Sequence, residues 1–149
     1  MDTGRAEMKL VLDASMTLAW HIERADPGEK ILARQALQAV RSHGALVPAL
    51  WYSEVANGVL VAERRRVSTE QQGMVFQADL RQVEIAMDST LPHVSQPMVI
   101  ALGRSSGLTG YDAAYLELVL RTGRALATFD RKLADAARLA GVKVFGDPV

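Results

Sequence analysis

Short apolar runs alternate with longer helical patterns along this chain, and that alternation is the feature that most limits its fold. Most of the apolar runs have the length of a strand and are followed by a stretch whose apolar positions recur with helical periodicity. This order favours an α/β domain with a short parallel β-sheet of about five strands and helices on both faces. The predicted strands are residues 9–13, 45–48, 84–88, 124–130 and 142–145. The predicted helices are residues 27–44, 49–66, 68–83, 96–107, 111–123 and 131–141.

The length of the chain fits one domain. It has 149 residues, of which 49% are hydrophobic, and this is enough for one sizeable core. We predict a flexible N-terminal extension at residues 1–7 and the domain itself at residues 8–149. No apolar run reaches the roughly 18 residues of a membrane span, and the amino terminus lacks the apolar stretch of a signal peptide. Because cysteine is absent as well, we expect a cytoplasmic protein without a membrane segment.

Acidic residues stand where ligands collect in a parallel sheet. Asp13 and Asp130 each end a predicted strand, so both are expected at the carboxyl edge of the sheet, where such folds bind ligands. Asp112 falls in the first turn of a predicted helix, and Glu54 lies inside another helix among apolar neighbours. Each acid alone also has an ordinary explanation, as a helix cap for the three aspartates and as a solvent-facing residue for Glu54. Taken together, their positions predict one shared pocket.

A pocket shared by four carboxylates requires something that offsets their repulsion. Two like charges about 4 Å apart cost roughly 1 kcal/mol in water and about 4 kcal/mol at an effective dielectric constant of 20. A bound cation removes that cost, and carboxylates with waters are ligands for Mg²⁺ or Mn²⁺ rather than for Zn²⁺. Such ions promote in-line displacement at phosphorus. The sequence therefore points to phosphodiester chemistry.

Three blocks of sequence carry a resemblance to a known family. They are "LVLDAS" near the start, "WYSEVANGVL" in the middle and "YDAAYLELVLRTGRALATFDRKL" near the end. In this order they resemble the PIN domain, and more narrowly the VapC-type toxins of type II toxin–antitoxin systems, over nearly the whole chain from Met8 to Phe145. The resemblance implies an endoribonuclease that needs Mg²⁺ or Mn²⁺ and cuts an RNA substrate. It also implies a homodimer and a cognate antitoxin protein that inhibits the enzyme.

The same resemblance implies roles for the acidic residues. Asp13 and Asp112 would be the main metal ligands and catalytic residues. Glu54 and Asp130 would complete the catalytic set, partly through water.

Three polar residues are predicted to support these acids. Ser15 and Thr128 match polar positions of the family, and Thr128 lies two residues before Asp130, on the same side of the predicted strand. Asn57 lies three residues after Glu54, on the same helix face, where it could orient that carboxylate.

Basic residues that could contact RNA occur in two places. The chain has 17 basic and 17 acidic residues, so it lacks the overall basic charge that is common among nucleic-acid binders. Arg131 and Lys132 directly follow Asp130, and they are candidates for holding the RNA backbone. Arg64 and Arg65 end the second predicted helix and are further candidates, with a solvated helix end as the alternative.

The remaining titratable residues are assigned simpler positions. Glu117 and Asp135 lie deeper in their helices and are predicted to face solvent. His21, His43 and His93 share no ligand spacing, so we predict surface or capping positions for them.

Two other functions remain open. A phosphoryl-transfer module on the same sheet, such as a phosphohydrolase or a receiver domain, would use Asp13 as nucleophile or phosphoacceptor. A haloacid-dehalogenase-like phosphatase has a second aspartate two residues later, where this chain has Ser15. A catalytically inactive PIN-like interaction module is the other alternative, and metal binding would distinguish it from the nuclease.

Overall fold

The computed structural model describes residues 9–148, which form an α/β domain. In chain order its elements are β1 (Leu10–Leu12), α1 (Ala14–Leu18), α2 (Pro27–His43), β2 (Ala45–Val47), α3 (Leu50–Arg64), α4 (Glu70–Leu80), β3 (Ile85–Met87), α5 (Pro92–Ser106), α6 (Gly110–Thr122), β4 (Ala125–Ala127) and α7 (Arg131–Leu139). The extension predicted for residues 1–7 lies outside the described residues. Within residues 9–148, no helix is both long and apolar enough to cross a bilayer.

The sheet has the predicted parallel topology. Its strands lie in the order β3-β2-β1-β4, and every pair is parallel. Helices α1 to α4 pack on one face around residues such as Leu12 and Trp51, and α5 to α7 pack on the other around Val11, Leu116 and Leu133. Strands covered on both faces are expected to be continuously apolar, as the buried β1 and β4 are. The predicted α/β class with helices on both faces is confirmed.

The sheet has four strands, and the prediction of about five was too high. Residues 142–145, predicted as the last strand, make only a parallel bridge between Val144 and Leu126. The N–H of Phe145 donates to the carbonyl of Leu126 at 2.8 Å. Immediately afterwards, Gly146 has a φ of 104°, a conformation that glycine adopts readily and other residues do not. The chain therefore turns away before a ladder can extend.

Two element boundaries differ from the prediction for local reasons. Strand β4 ends at Ala127 rather than at Asp130, because the next polar groups bond to one another instead of to a neighbouring strand. The N–H of Asp130 donates to Thr128 Oγ1 at 2.9 Å. Helix α5 begins at Pro92 rather than at residue 96, since a proline in the first turn loses no intrahelical hydrogen bond.

A glycine allows α1 to pack closely on α3. A Cβ atom placed on Gly58 would lie 2.6 Å from Leu18 Cδ2, well inside van der Waals contact. Helix α1 directly follows Asp13, and α3 carries Glu54. The close contact between the helices therefore helps to set the spacing between two of the predicted site residues.

We predict that Gly58→Ala lowers the free energy of unfolding by about 1–2 kcal/mol because the added methyl displaces Leu18. A loss of stability would be informative, because alanine is intrinsically a better helix former than glycine and would otherwise stabilise the helix. Chemical denaturation measures the change. In a Leu18→Ala background most of the penalty should disappear, and an equal penalty in both backgrounds would contradict the proposed contact.

Candidate active site

The carboxyl ends of β1 and β4 bring two of the predicted acids to the same edge of the sheet. The two strands pair in register up to Leu12 and Ala127. The N–H of Asp13 then donates to the carbonyl of Ala127 at 3.0 Å. Thr128 is thus the next residue opposite Asp13, and Asp130 follows two residues later. Asp13 directly follows β1 as predicted, whereas Asp130 lies three residues beyond the end of β4, in the loop at the same edge of the sheet.

Two hydroxyl groups hold the carboxylate of Asp13. Ser15 Oγ and Thr128 Oγ1 each donate to Asp13 Oδ2 at 2.6 Å, and the two hydroxyl oxygens lie 3.2 Å apart. Asp13 is only 6% exposed. Burial raises the pKa of Asp13, and the hydrogen bonds from Ser15 and Thr128 oppose that rise. These two predicted supporting residues therefore contact the acid directly.

The same hydroxyls order the loop that carries Asp130. The N–H of Phe129 donates to Ser15 Oγ at 2.9 Å, and the N–H of Asp130 donates to Thr128 Oγ1 at the same distance. Asp130 Oδ1 accepts a hydrogen bond from the N–H of Leu133 at 3.0 Å and so caps α7. The capping explanation for Asp130 is confirmed. Its Oδ2 takes no part in the cap.

Asp112 and Glu54 complete the group from two further helices. Asp112 lies in the first turn of α6, where its N–H donates to the capping hydroxyl of Thr109 at 3.2 Å. Burial raises the pKa of Asp112, and the charges of Asp130 and Asp13 raise it further. Burial also raises the pKa of Glu54, and the three aspartates add to the rise. The four carboxylates, here called the acidic cluster, thus share one electrostatic environment.

Tyr115 is a site residue that the sequence analysis did not identify. It is fully buried, and its hydroxyl donates to Glu54 Oε1 at 2.7 Å. Burial and nearby negative charge raise the pKa of Tyr115 far above its ordinary value, so the hydroxyl remains a donor. Asn57, which was predicted to orient Glu54, is exposed and makes no hydrogen bond to it among the described residues. A signal was present, since Tyr115 lies three residues after Asp112 on the same face of α6.

The chemistry of the acidic cluster fits a hard divalent cation. Its donors are carboxylate oxygens, and both burial and the charges of the neighbouring acids raise the pKa values of Asp13, Glu54 and Asp112. Within residues 9–148, no three acidic or histidine side chains lie close enough together to enclose one ion. Mg²⁺ does not need such a cage, because it keeps several waters and binds proteins through one or two carboxylates. The donor set therefore suits Mg²⁺ or Mn²⁺ better than Zn²⁺, which prefers nitrogen and sulfur ligands in a tetrahedral site.

The basic residues predicted as RNA contacts lie at different distances from the acidic cluster. Arg131 and Lys132 are exposed in the first turn of α7, and the charge of Lys132 partly offsets the rise in the pKa of Asp112. Arg64 and Arg65 are exposed at the carboxyl end of α3. They lie about 15 Å along the helix axis from the acid that α3 contributes. Only the first pair stands beside the cluster.

The prediction that Glu117 faces solvent was wrong. Glu117 is 7% exposed, and Arg121 Nε donates to its Oε1 at 2.7 Å. Arg121 also binds Asp88 in the loop after β3 at 2.6 Å, so one guanidinium offsets both charges and ties α6 to that loop. Asp135 is exposed as predicted and pairs with Arg138 at 2.9 Å.

The histidines stand apart from the acidic cluster. His43 and His93 are exposed, as predicted. His21 is partly buried instead, and its ring stacks on Phe76 with centroids 4.6 Å apart. Among the described residues, no histidine hydrogen-bonds to a member of the cluster.

Comparison with known proteins identifies one similar sequence and one similar fold from Pyrobaculum aerophilum. The protein named Ribonuclease VapC3 from Pyrobaculum aerophilum is 32% identical over 130 residues, which cover 86% of this chain and 94% of that protein. The crystal structure of PAE2754 from the same organism matches with a TM-score of 0.53 at 21% identity, over 91% of each chain. At that identity the structural likeness shows the fold. No family model matches the sequence.

We predict that Tyr115→Phe raises the pKa of Glu54 further, because the tyrosine hydroxyl stabilises the charged carboxylate. A carbon-13 NMR titration of the glutamate carboxyl group measures this directly. Tyr111→Phe is the matched control, because Tyr111 lies on the same helix but is 70% exposed. An unchanged titration of Glu54 in Tyr115→Phe would show that the hydrogen bond does not set its pKa.

We predict that Asp13→Asn raises the free energy of unfolding at pH 7 by about 1–2 kcal/mol when divalent cations are absent. The substitution removes a buried charge and keeps an oxygen that accepts from Ser15 and Thr128. Because the folded-state pKa of Asp13 is raised, the contribution of Asp13 to wild-type stability should fall as the pH rises above the ordinary aspartate value of about 3.9, and Asp13→Asn should lack this fall. Denaturant titrations from acidic to neutral pH in EDTA measure both effects.

Asp147→Asn is a control for which we expect the opposite change in the free energy of unfolding. Arg138 lowers the pKa of Asp147, so the stability from this pair is present at neutral pH and lost as the pH falls. Asp147→Asn should therefore destabilise the protein at pH 7. A loss of stability in Asp13→Asn as well would contradict the account of Asp13 as a costly buried charge.

Proposed function

The chain belongs to the VapC family of ribonucleases, and from that membership we propose that it is a metal-dependent endoribonuclease that hydrolyses RNA phosphodiester bonds. The observation that carries this proposal is the acidic cluster. Carboxylates from two strand ends and two helices share one environment at the carboxyl edge of a parallel sheet. That is where α/β folds of this type bind ligands. Repulsion among the four carboxylates lowers the stability of the folded chain, and a bound divalent cation would remove that repulsion.

The acidic cluster would hold Mg²⁺ or Mn²⁺. In this proposal Asp13 and Asp112 are direct ligands, and Glu54 and Asp130 complete the set partly through water. The cation would supply charge stabilisation for the phosphodiester oxygens and for the attacking water.

The chain's own residues keep these acids in place before substrate arrives. Ser15 and Thr128 fix the orientation of the Asp13 carboxylate. Tyr115 fixes Glu54 through one carboxylate oxygen. Because such hydrogen bonds are made within the folded chain, the site needs little reorganisation during reaction.

We propose that cleavage is hydrolytic. Among the described residues no histidine hydrogen-bonds to the cluster, so the proposal assigns no imidazole to deprotonate the 2′-hydroxyl of RNA. Water would instead attack phosphorus, the bond from phosphorus to the 3′ oxygen would break, and that oxygen would take up a proton from solvent. Glu54 is the candidate acceptor of the water proton, because Tyr115 holds one of its carboxylate oxygens in place and the carboxylate shares the environment of the three aspartates.

The proposal extends to partners and location. We propose that the enzyme acts on RNA in the cytoplasm as a homodimeric toxin and is inhibited by a cognate antitoxin. Apolar surface is available for such contacts, since Val94, Met98 and Ile100 of α5 are largely exposed. A groove of about 440 Å³ beside α3 and α4 is lined by Trp51 and Tyr52 among other residues. Sedimentation of the purified chain, alone and with the product of the neighbouring reading frame, tests both associations. A chain that stays monomeric and does not bind that product would contradict both.

We predict that the purified protein cuts total cellular RNA at discrete positions when Mg²⁺ or Mn²⁺ is present. Sequencing of the new ends maps the cuts, and EDTA should abolish them. Asp112→Asn should lower the cleavage rate by about 10²–10³-fold, as is typical when a group that stabilises the transition state is removed. Asp135→Asn is the matched control, because it removes one aspartate charge from an exposed helix position away from the cluster.

Thermal unfolding supplies a second readout that is independent of catalysis. Mg²⁺ should stabilise the wild-type fold by an amount that grows with the logarithm of its concentration above Kd and should stabilise Asp112→Asn much less. Folded protein free of antitoxin that shows neither cutting nor stabilisation by metal would overturn the nuclease proposal. That result would favour the inactive interaction module.

A further inference from the structure

An arginine outside the acidic cluster stands against the loop that carries Asp130. Arg24, in the segment between α1 and α2, places its guanidinium carbon 4.6 Å from the centroid of the Phe129 ring. Phe129 lies directly between Thr128 and Asp130, and its N–H is bonded to Ser15 Oγ. Arg24 is therefore held by the residue that directly precedes Asp130 in the loop after β4.

RNA approaching the acidic cluster needs local positive charge. The cluster repels the phosphate backbone, and the chain as a whole has a formal charge of zero, so long-range attraction offers little help. Lys132 supplies a cation close to Asp112. Arg24 supplies a second cation, on the Phe129 side of the site.

The environment of Arg24 leaves its guanidinium open to an incoming anion. Its ion pair in the described structure is with Glu29 at 3.3 Å, and the two side chains are 38% and 36% exposed. A pair exposed to this degree contributes little stability, so a phosphate can replace the carboxylate. The Phe129 ring orients the guanidinium through its face and leaves the N–H donors for hydrogen bonds.

We propose that Arg24 contacts an RNA phosphate next to the cleaved bond, with Phe129 as its support and Glu29 as the anion that the phosphate displaces. This inference rests on the proposed ribonuclease function. It adds to that function a residue that determines substrate binding.

The test compares Arg24→Gln with Arg34→Gln on a fluorescent single-stranded RNA that the wild type cleaves. Arg34 is a matched control, since it lies on the neighbouring helix, is 76% exposed and pairs with Glu23. Arg24→Gln should raise KM about 5- to 10-fold, as expected for loss of a charge-assisted hydrogen bond, with a smaller change in kcat. The slope of log kcat/KM against log salt concentration should become shallower by about 0.7, which corresponds to one phosphate contact on a single strand. Arg34→Gln should match the wild type in KM and slope.

A second pair of variants tests the role of Glu29. Glu29→Gln removes the competing anion and should lower KM, whereas Glu23→Gln makes the same charge change nearby and should leave KM unchanged. Glu23 pairs with Lys30 and Arg34 rather than with Arg24. Equal effects of the two substitutions would mean that general charge, and not the Arg24 contact, controls RNA binding.

Rescue and stability measurements separate a binding role from a structural one. Arg24→Lys keeps the charge and should recover part of the lost affinity and of the salt slope. If Arg24→Gln lowers the unfolding temperature but leaves KM and the slope unchanged, the residue only supports the loop and the inference is overturned. If cleavage is unaffected and only inhibition by the antitoxin weakens, Arg24 serves a protein contact, which also overturns it.

Failure of the proposed function gives a different result. In that case the wild-type protein itself cuts no RNA in Mg²⁺ or Mn²⁺, and the inference falls together with it. Wild-type cleavage combined with wild-type kinetics in Arg24→Gln would reject the inference alone.

Discussion

Repulsion among carboxylates at one edge of the sheet is the constraint on which the rest of this structure depends. Parallel strands end together, so the fold places Asp13 and Asp130 at neighbouring positions, and two helices add Asp112 and Glu54. Burial raises the pKa of Asp13, Glu54 and Asp112, which means that ionising them works against folding. The apolar strands and the two cores on either face of the sheet must offset that cost.

The hydrogen bonds around the cluster serve local structure and the site at once. Asp130 caps α7 through one oxygen and presents its carboxylate at the end of β4. Thr128 donates to Asp13 and accepts from the N–H of Asp130, so it ties two cluster acids into a single loop geometry. A capping role and a catalytic role are therefore compatible explanations of the same aspartate. This is why each acid, taken alone, looked ordinary in the sequence.

The positions of the acids could be predicted because they follow from rules that are local or topological. A strand end is visible in the sequence, and parallel topology converts it into a place on the sheet. Tyr115 and Arg24 could not be assigned in the same way, because their partners, Glu54 and Phe129, lie 61 and 105 positions away along the chain. Asn57 lies on the same helix as Glu54, and Tyr115 lies on α6. Which of these two side chains reaches Glu54 depends on how α3 and α6 pack.

Two of the errors have identifiable causes. Glu117 has Arg121 four residues later on the same helix, so a helical ion pair could have been predicted from spacing. Its burial could not, because it depends on Arg121 also reaching Asp88 in the loop after β3. The predicted fifth strand had a suitable apolar pattern, but a strand forms only as far as its neighbour's ladder continues, and Gly146 ends that pairing.

The arginines show how a chain without net charge can still present a surface to RNA. Arg121 donates hydrogen bonds to Glu117, Asp88 and Thr90. Arg138 likewise binds Asp135 and Asp147. Carboxylates neutralise the charge of these two guanidinium groups, which stabilise the fold. They therefore add little to the long-range attraction of RNA. Arg24 differs because its pair with Glu29 is longer, at 3.3 Å, and joins side chains that are 38% and 36% exposed, while the face of the Phe129 ring orients its guanidinium. Lys132 and Arg24 combine exposed positive charge with a position near the loop that carries Asp130. Binding through a few local cations would give a weaker dependence on salt than a broadly basic surface gives, and recognition would then depend more on how the strand fits across the carboxyl edge of the sheet.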